Sequence, residues 1–260
     1  MFSDLSDFQT HRAQYDYVPV CLKRATVIEP ATVQFASLSL RHIEIVDWYS
    51  TPSIQHNYSS MDLDNYHGQL LNAQDDDDLL LGLLSVVYWG FAAGADKKTR
   101  FPRAISRSKA IVVGRRNASP QNCAEMMAHL RTARDYLNAN RVDKALLECC
   151  RIKFIQMAFA SKVLAFIRPD IAVVYDDVIS KRLMVASNDE LRKMYVSMVV
   201  PTSLDARVRQ AKAYQAWCEW CVQKADQLNA SSKRWKDWNG NLHEWRALDI
   251  ERSVFSRGRT

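Results

Sequence analysis

The sequence predicts a predominantly α-helical fold, on three observations. Glycine is scarce, 7 in 260 residues, so few positions favour a turn over continuous helix. Leucine, alanine and arginine, which lose little side-chain freedom in a helix, recur throughout. Apolar residues repeat at spacings of three and four, as in Cys123, Met127, Leu130, Ala133 and Leu137, or Leu204, Val208, Ala211, Tyr214, Cys218, Cys221, Ala225 and Leu228, the period of a helix face. Residues 75–260 read as one helical body. Residues 1–74 read as a less regular segment packed on it.

In that first segment, alternation at Val33 and Phe35 and again at Ile43 and Ile45 predicts a short strand or two, followed by a turn over residues 49–57. Asp75 to Asp78 precede the apolar run from Leu79 to Phe91, and carboxylates complement the positive end of a helix dipole, so a helix starts there. Ser85 and the glycines at 82 and 90 interrupt the run, which falls short of the ~20 residues of a membrane span; it predicts a core helix. Ser119-Pro120, a capping residue before proline, predicts the start of the helix carrying Cys123 to Leu137. A short helix is expected over 141–149, and another from Ala158 to Ile167. Arg168-Pro169 stops the latter, because the residue before proline is driven out of the helical region. An extended stretch, Ile171 to Tyr175, then leads into Asp176-Asp177 and a helix with Val178, Leu183 and Met184 as apolar positions. A long helix over 203–228, a tryptophan-rich charged linker over 233–240 and a last helix over 242–255 complete the reading.

Lysine and arginine total 35 against 29 acidic residues, a net charge of +6, and the pI is near 9.0. That balance suits a polyanionic partner, and it also suits an ordinary basic protein. The first residues, Met1-Phe2-Ser3-Asp4, lack a basic-then-apolar export pattern, so the expected location is the cytoplasm and no membrane is involved. Six cysteines are then expected to stay reduced. Cys218 and Cys221 form a CxxC, but the other close pair is the adjacent Cys149-Cys150, a poor shape for a shared metal or cluster. Both also lie on an apolar stripe, so core packing is expected and no metal or other cofactor. No histidines pair at ligand spacing. No GxxxxGK[ST] occurs, which removes the common phosphate-loop reading.

The most informative segment is Phe154-Ile155-Gln156-Met157-Ala158-Phe159-Ala160-Ser161-Lys162-Val163-Leu164, followed after Arg168-Pro169-Asp170 by Ala172-Val173-Val174-Tyr175-Asp176-Asp177-Val178-Ile179. Helix, tight turn, helix, then an extended link delivering a carboxylate to a helix start: this layout, with its hairpin near 150–162, resembles the helix-hairpin-helix DNA glycosylase superfamily. Within it the chain is similar to bacterial proteins akin to 8-oxoguanine DNA glycosylase, which share a run like Phe159-Ala160-Ser161-Lys162, the Trp89-Gly90-Phe91 motif and the stretch Trp245 to Glu251. The likeness covers roughly residues 80–256. It departs in the hairpin, where the family's Gly-x-Gly places hold Phe154 and Gln156.

The resemblance implies that Asp176 is catalytic. Cleaving an N-glycosidic bond builds positive charge on the deoxyribose, so a fixed carboxylate is worth most in the transition state, and it can also activate water. A base must first leave the duplex for a pocket with apolar walls. Trp89, Phe159, Trp245 and Asp249 are the expected pocket residues, and Lys153, Gln156 and Lys162 the expected contacts to DNA. Each has a plainer alternative. Asp176 and Asp177 suit a helix cap, tryptophans on a helix face suit a core, and single lysines suit solvated surface. The resulting expectation is a monomeric, monofunctional glycosylase acting on double-stranded DNA, in repair or in defence against phage DNA with modified bases. Bifunctional relatives place a lysine at the start of the helix after the hairpin, and here that place holds Ala158, with Lys162 one turn further on. The alternative is a DNA-binding module that keeps the scaffold without cleaving.

Overall fold

A computed structural model of the chain describes residues 6–15, 19–25, 43–47, 59–92 and 97–257. The described residues are mainly helical. The chain opens with α1 (Ser6–Ala13), β1 (Val20–Arg24), β2 (Ile43–Asp47), α2 (Ser60–Leu71), α3 (Asp76–Ala92) and α4 (Lys97–Val113). It continues through α5 (Cys123–Asn138), α6 (Val142–Cys149), α7 (Met157–Ile167), α8 (Asp177–Met184), α9 (Asp189–Lys193) and α10 (Leu204–Ala230). The last elements are β3 (Trp235–Lys236), β4 (Leu242–His243) and α11 (Ala247–Ser256). No helix among the described residues is long and apolar enough to cross a membrane.

Two compact units divide the chain, one of residues 1–16, 131–151 and 155–260, the other of 17–130 and 152–154. The expected division at 74/75 falls inside the second, because α3 packs on α2 and β1 before it and on α4 after it. In that unit β1 and β2 pair antiparallel, with Val20 opposite Asp47 and Arg24 opposite Ile43. Ile43 and Ile45 thus lie in a strand as the alternation predicts, whereas Val33, Phe35 and the 49–57 turn lie outside the described residues. Asp75 caps α3 by accepting the Asp78 amide at 3.0 Å. Every residue from Leu79 to Trp89 is buried. Gly82 lets α2 come close, since a Cβ there would meet Leu70 Cβ at 2.9 Å. Helices α2 and α4 escaped the sequence reading, although Ser59 and Asp62 form a capping box at the start of α2. The cap of α5 is Asn122, which accepts the Ala124 amide at 2.8 Å, and not Ser119. Residues 115–118 instead form a turn closed by reciprocal Arg115 and Ala118 backbone bonds.

The first unit is organised by α10, whose inward face carries Tyr214, Trp217, Cys218, Cys221, Ala225 and Leu228. It packs on α6 and α11, and α11 in turn holds α1. Ser203 caps α10 through the Ala206 amide. The expected 233–240 linker and the first residues of the expected last helix form a hairpin instead: Trp235 pairs with His243 and Lys236 with Leu242. Gly240 turns it at φ +88°. Leu242 is exposed, so it offers no apolar position to a helix.

Candidate functional site

The helix-turn-helix expected over 141–167 is present as α6 and α7, which pack together. Phe154 in the connection has φ +69°, the left-handed region that glycine enters without steric cost. The connection between α6 and α7 thus holds Phe154 in a backbone conformation that glycine would adopt without strain. The amide of Lys153 donates to Gln121 Oε1 at 2.8 Å, and the Arg115 guanidinium lies 4.5 Å from the Phe154 ring centre. Lys153 and Gln156 are exposed.

After α7 the chain runs extended from Ala172 to Tyr175, all buried, so its backbone groups require partners. Tyr214 donates to Val173 O at 2.8 Å and the Trp217 indole to Val174 O at 3.3 Å. Ser161 of α7 accepts the Tyr175 amide at 2.9 Å and donates to Tyr175 O at 3.2 Å. The Tyr175 hydroxyl donates to Met194 O and accepts the Val196 amide. This clamp fixes where Asp176 emerges.

Asp176 is the N-cap of α8: its Oδ1 accepts the amides of Val178 and Ile179 at 3.1 and 3.3 Å. Its Oδ2 lies 3.2 Å from Lys162 Nζ, in an ion pair whose side chains are 10% exposed for Lys162 and 20% for Asp176. Lys162 also donates to Ala158 O at 3.4 Å and stands 5.7 Å from the Phe159 ring centre. Burial pushes the Asp176 carboxyl up, but the Lys162 charge and the Ile179 and Val178 amides outweigh it and hold it below the ordinary carboxylate value. Asp177, expected to serve the cap, is exposed and pairs with Lys181 at 2.5 Å.

On α11, Glu251 is 2% exposed. Burial raises its carboxyl well above the ordinary value and the Asp176 charge raises it further, against Arg252, Lys162 and Arg12. Glu251 therefore keeps its proton where an ordinary glutamate loses it. Asp249, two residues earlier, is the reverse case. Burial would raise it, but guanidiniums of Arg246 at 2.8 Å, Arg12 at 3.1 Å and Arg252 at 3.7 Å hold it far below the usual range.

The structure thus brings together Asp176, Lys162 and Phe159, and adds Glu251, which the sequence reading passed over because nothing in its spacing distinguishes it from a helix-surface glutamate. Other expected roles change. Lys162 is buried against Asp176 and presents no charge to a DNA phosphate. Asp249 is enclosed by three arginines and has no face for a base. Trp245 is 3% exposed, its backbone held by both ends of the Asn229 amide at 2.9 Å. Trp89 is core of α3 in the other unit, 4% exposed. Both tryptophans bury their rings for packing, the commoner fate of so large an apolar surface. No protein-family model, no characterised protein and no solved structure matches the chain significantly.

Proposed function

We propose that this chain is a DNA glycosylase that, as a monomer in the cytoplasm, takes a damaged or modified base out of duplex DNA and hydrolyses its N-glycosidic bond at Asp176. One observation carries the reading: two packed helices joined by a turn with a left-handed residue at Phe154 lead, through a hydrogen-bonded extended link, to an ionised aspartate capping the next helix. The cap amides hold that carboxylate in place before any substrate arrives, so its stabilisation of a developing oxocarbenium ion requires no reorganisation. As the C1′–N bond breaks, its electron pair leaves with the base. Water adds to C1′ and gives its proton to Asp176.

The Lys162–Asp176 contact favours a second reading of the nucleophile. Lys162 puts an amine at the same carboxylate, although the first position of α7 holds no such group. An amine held in an ion pair has its lone pair on a proton and cannot attack, so water is the nucleophile in the arrangement seen. Transfer of that proton to Asp176 would free the amine to attack C1′, and a Schiff base and strand scission would follow.

The test is single-turnover incubation with duplexes carrying oxidised, alkylated and phage-type modified bases, with mass spectrometry of the released base. Release from at least one duplex, with strand breaks appearing only after alkali and no borohydride-trapped adduct, is the expected result. A trapped adduct that disappears in Lys162→Met transfers the nucleophile to Lys162. Binding without release of any base leaves a DNA-binding module on this scaffold.

A further inference from the structure

Between residues 97 and 116 the sequence holds eight of the 35 basic residues and none of the 29 acidic ones, so the rest of the chain, with 27 basic residues against 29 acidic, is slightly acidic. The net positive charge of the protein is concentrated in one helix and the turn after it. There, along α4, lies a cavity of about 820 Å³ whose lining includes Arg103, Arg107, Lys109, Val113, Arg115 and Arg116. Among the described residues Arg103, Arg107, Arg115 and Arg116 pair with no carboxylate. Their neighbours are aromatic: the Arg103 and Arg107 guanidiniums lie 5.7 and 5.5 Å from the Phe91 ring centre, and Arg115 lies on Phe154, which Lys153 also approaches at 5.9 Å. A ring beneath a guanidinium holds the side chain in place and leaves its donors outward. Gly114 ends α4 at φ +81°, where a Cβ would meet Ala118 O at 2.5 Å. The tight turn that follows puts Arg115 and Arg116 beyond the helix end.

We propose that this arginine-lined groove is a docking surface for the sugar-phosphate backbone of double-stranded DNA. From Arg103 to Val113 the helix rises about 15 Å at ~1.5 Å per residue, so the cations form a stripe and not a point. A stripe of unpaired guanidiniums matches a polymer with a charge every ~3.4 Å along each strand and exceeds what one phosphate or carboxylate can neutralise. The groove would anchor duplex without reading its sequence. The choice of DNA as the polyanion rests on the glycosylase reading; the groove itself does not.

The test measures duplex DNA binding by the full chain between 50 and 200 mM salt, for wild type, for Arg103→Gln/Arg107→Gln/Arg116→Gln, for Arg116→Gln alone and for Lys181→Gln/Arg192→Gln as a surface control. Each lost phosphate contact lowers the slope of log K against log salt by about 0.9, so over this fourfold range wild type should lose about 40-fold more affinity than the triple variant. The single variant, at an exposed turn, should lower the slope by about 0.9 and decides the matter if the triple variant fails to fold. The control should bind as wild type does. A slope unchanged in both arginine variants overturns the proposal, as does a loss confined to duplex RNA or to phosphatidylserine vesicles. Base release by wild type is followed in the same preparations. Groove-dependent binding without release removes the glycosylase and keeps the groove; release with an unchanged slope does the reverse.

Discussion

Asp176→Asn separates the cap from the charge. Asparagine retains an oxygen at Oδ1 and is as good an N-cap as aspartate, so the bonds from Val178 and Ile179 should persist. What disappears is the negative charge beside Lys162. Removing one partner of a fully buried pair costs about 3–5 kcal/mol. Here the two side chains are 10% and 20% exposed, and water reaching the stranded ammonium reduces the figure to about 2 kcal/mol. For a chain of this size that is a Tm lower by about 4–8 °C, within the stability of an ordinary domain, so the variant should remain folded at 25 °C. Base release should fall by ~10²-fold or more, about 3 kcal/mol of lost transition-state stabilisation. Single-turnover release at saturating protein, with thermal unfolding measured on the same samples, reads the two effects apart. Asp177→Asn, exposed and paired only on the surface, should change neither. Release within a factor of about three of wild type in a folded Asp176→Asn protein would refute the assignment of catalysis to this carboxylate.

Three further outcomes follow from the same geometry. Phe154→Gly should be more stable than Phe154→Ala by about 1 kcal/mol, because both lose the ring and only glycine is at ease at φ +69°; urea unfolding that ranks them the other way contradicts a strained hairpin. Burial lowers His67 from 6.5 to about 3, against the opposing charge of Asp64, so the folded protein declines a proton that the unfolded chain accepts. That contribution is complete above pH 6.5 and is lost as pH falls toward 3; between those limits wild-type stability should drop more steeply than that of His67→Gln, by up to about 1.4 kcal/mol per pH unit. Glu251 has the opposite sign: its raised folded value means stability falls as pH climbs above the ordinary 4.5. Glu251→Gln should therefore gain on wild type as pH rises from 4.5 to 8 and match it below pH 4, and a constant difference across that range would show that Glu251 is ionised when folded.

What the sequence disclosed was whatever depends on neighbours along the chain. The α3 core run, the α5 stripe, the α10 stripe from Ala211 to Leu228, the Pro169 stop and the carboxylate at the start of α8 all rest on spacing or on a local steric rule, whereas Leu204, counted in the α10 stripe, is exposed where the helix begins. α4 was missed because its buried positions among the described residues, Ala104, Ser108, Ala110, Ile111 and Val112, are mostly small in its first turns and apolar only at its end, and its arginines look like loop surface. The Trp235–His243 hairpin was missed because two-residue strands are too short to alternate. The site was half legible. Asp176 could be found, since a helix start and an extended link mark it. That Lys162 turns inward onto it is a tertiary fact, 14 residues away along the chain. Trp89 and Trp245 have the same letters whether they wall a pocket or fill a core, and only their burial decides.

The electrostatics of Asp176 and Glu251 follow from where each sits on its helix. Both carboxyls share Lys162 as a nearby cation, and the negative charge of one disfavours ionisation of the other. The backbone decides which does. Asp176 precedes the first turn of α8, where amides have no intrahelical partner, and two of them point at its oxygen. Glu251 is the fifth residue of α11, past the turn in which such amides remain free. The anion therefore settles on Asp176, the more exposed of the two, and the proton on Glu251, the more enclosed. Asp249 tests the same logic from the other side. It also sits near a helix start and receives the Arg246 amide at 3.3 Å, yet three guanidiniums have already neutralised it. Of the carboxylates in this cluster, Asp176 alone combines charge, fixed position and access to solvent, the combination that a reaction building positive charge on a sugar requires.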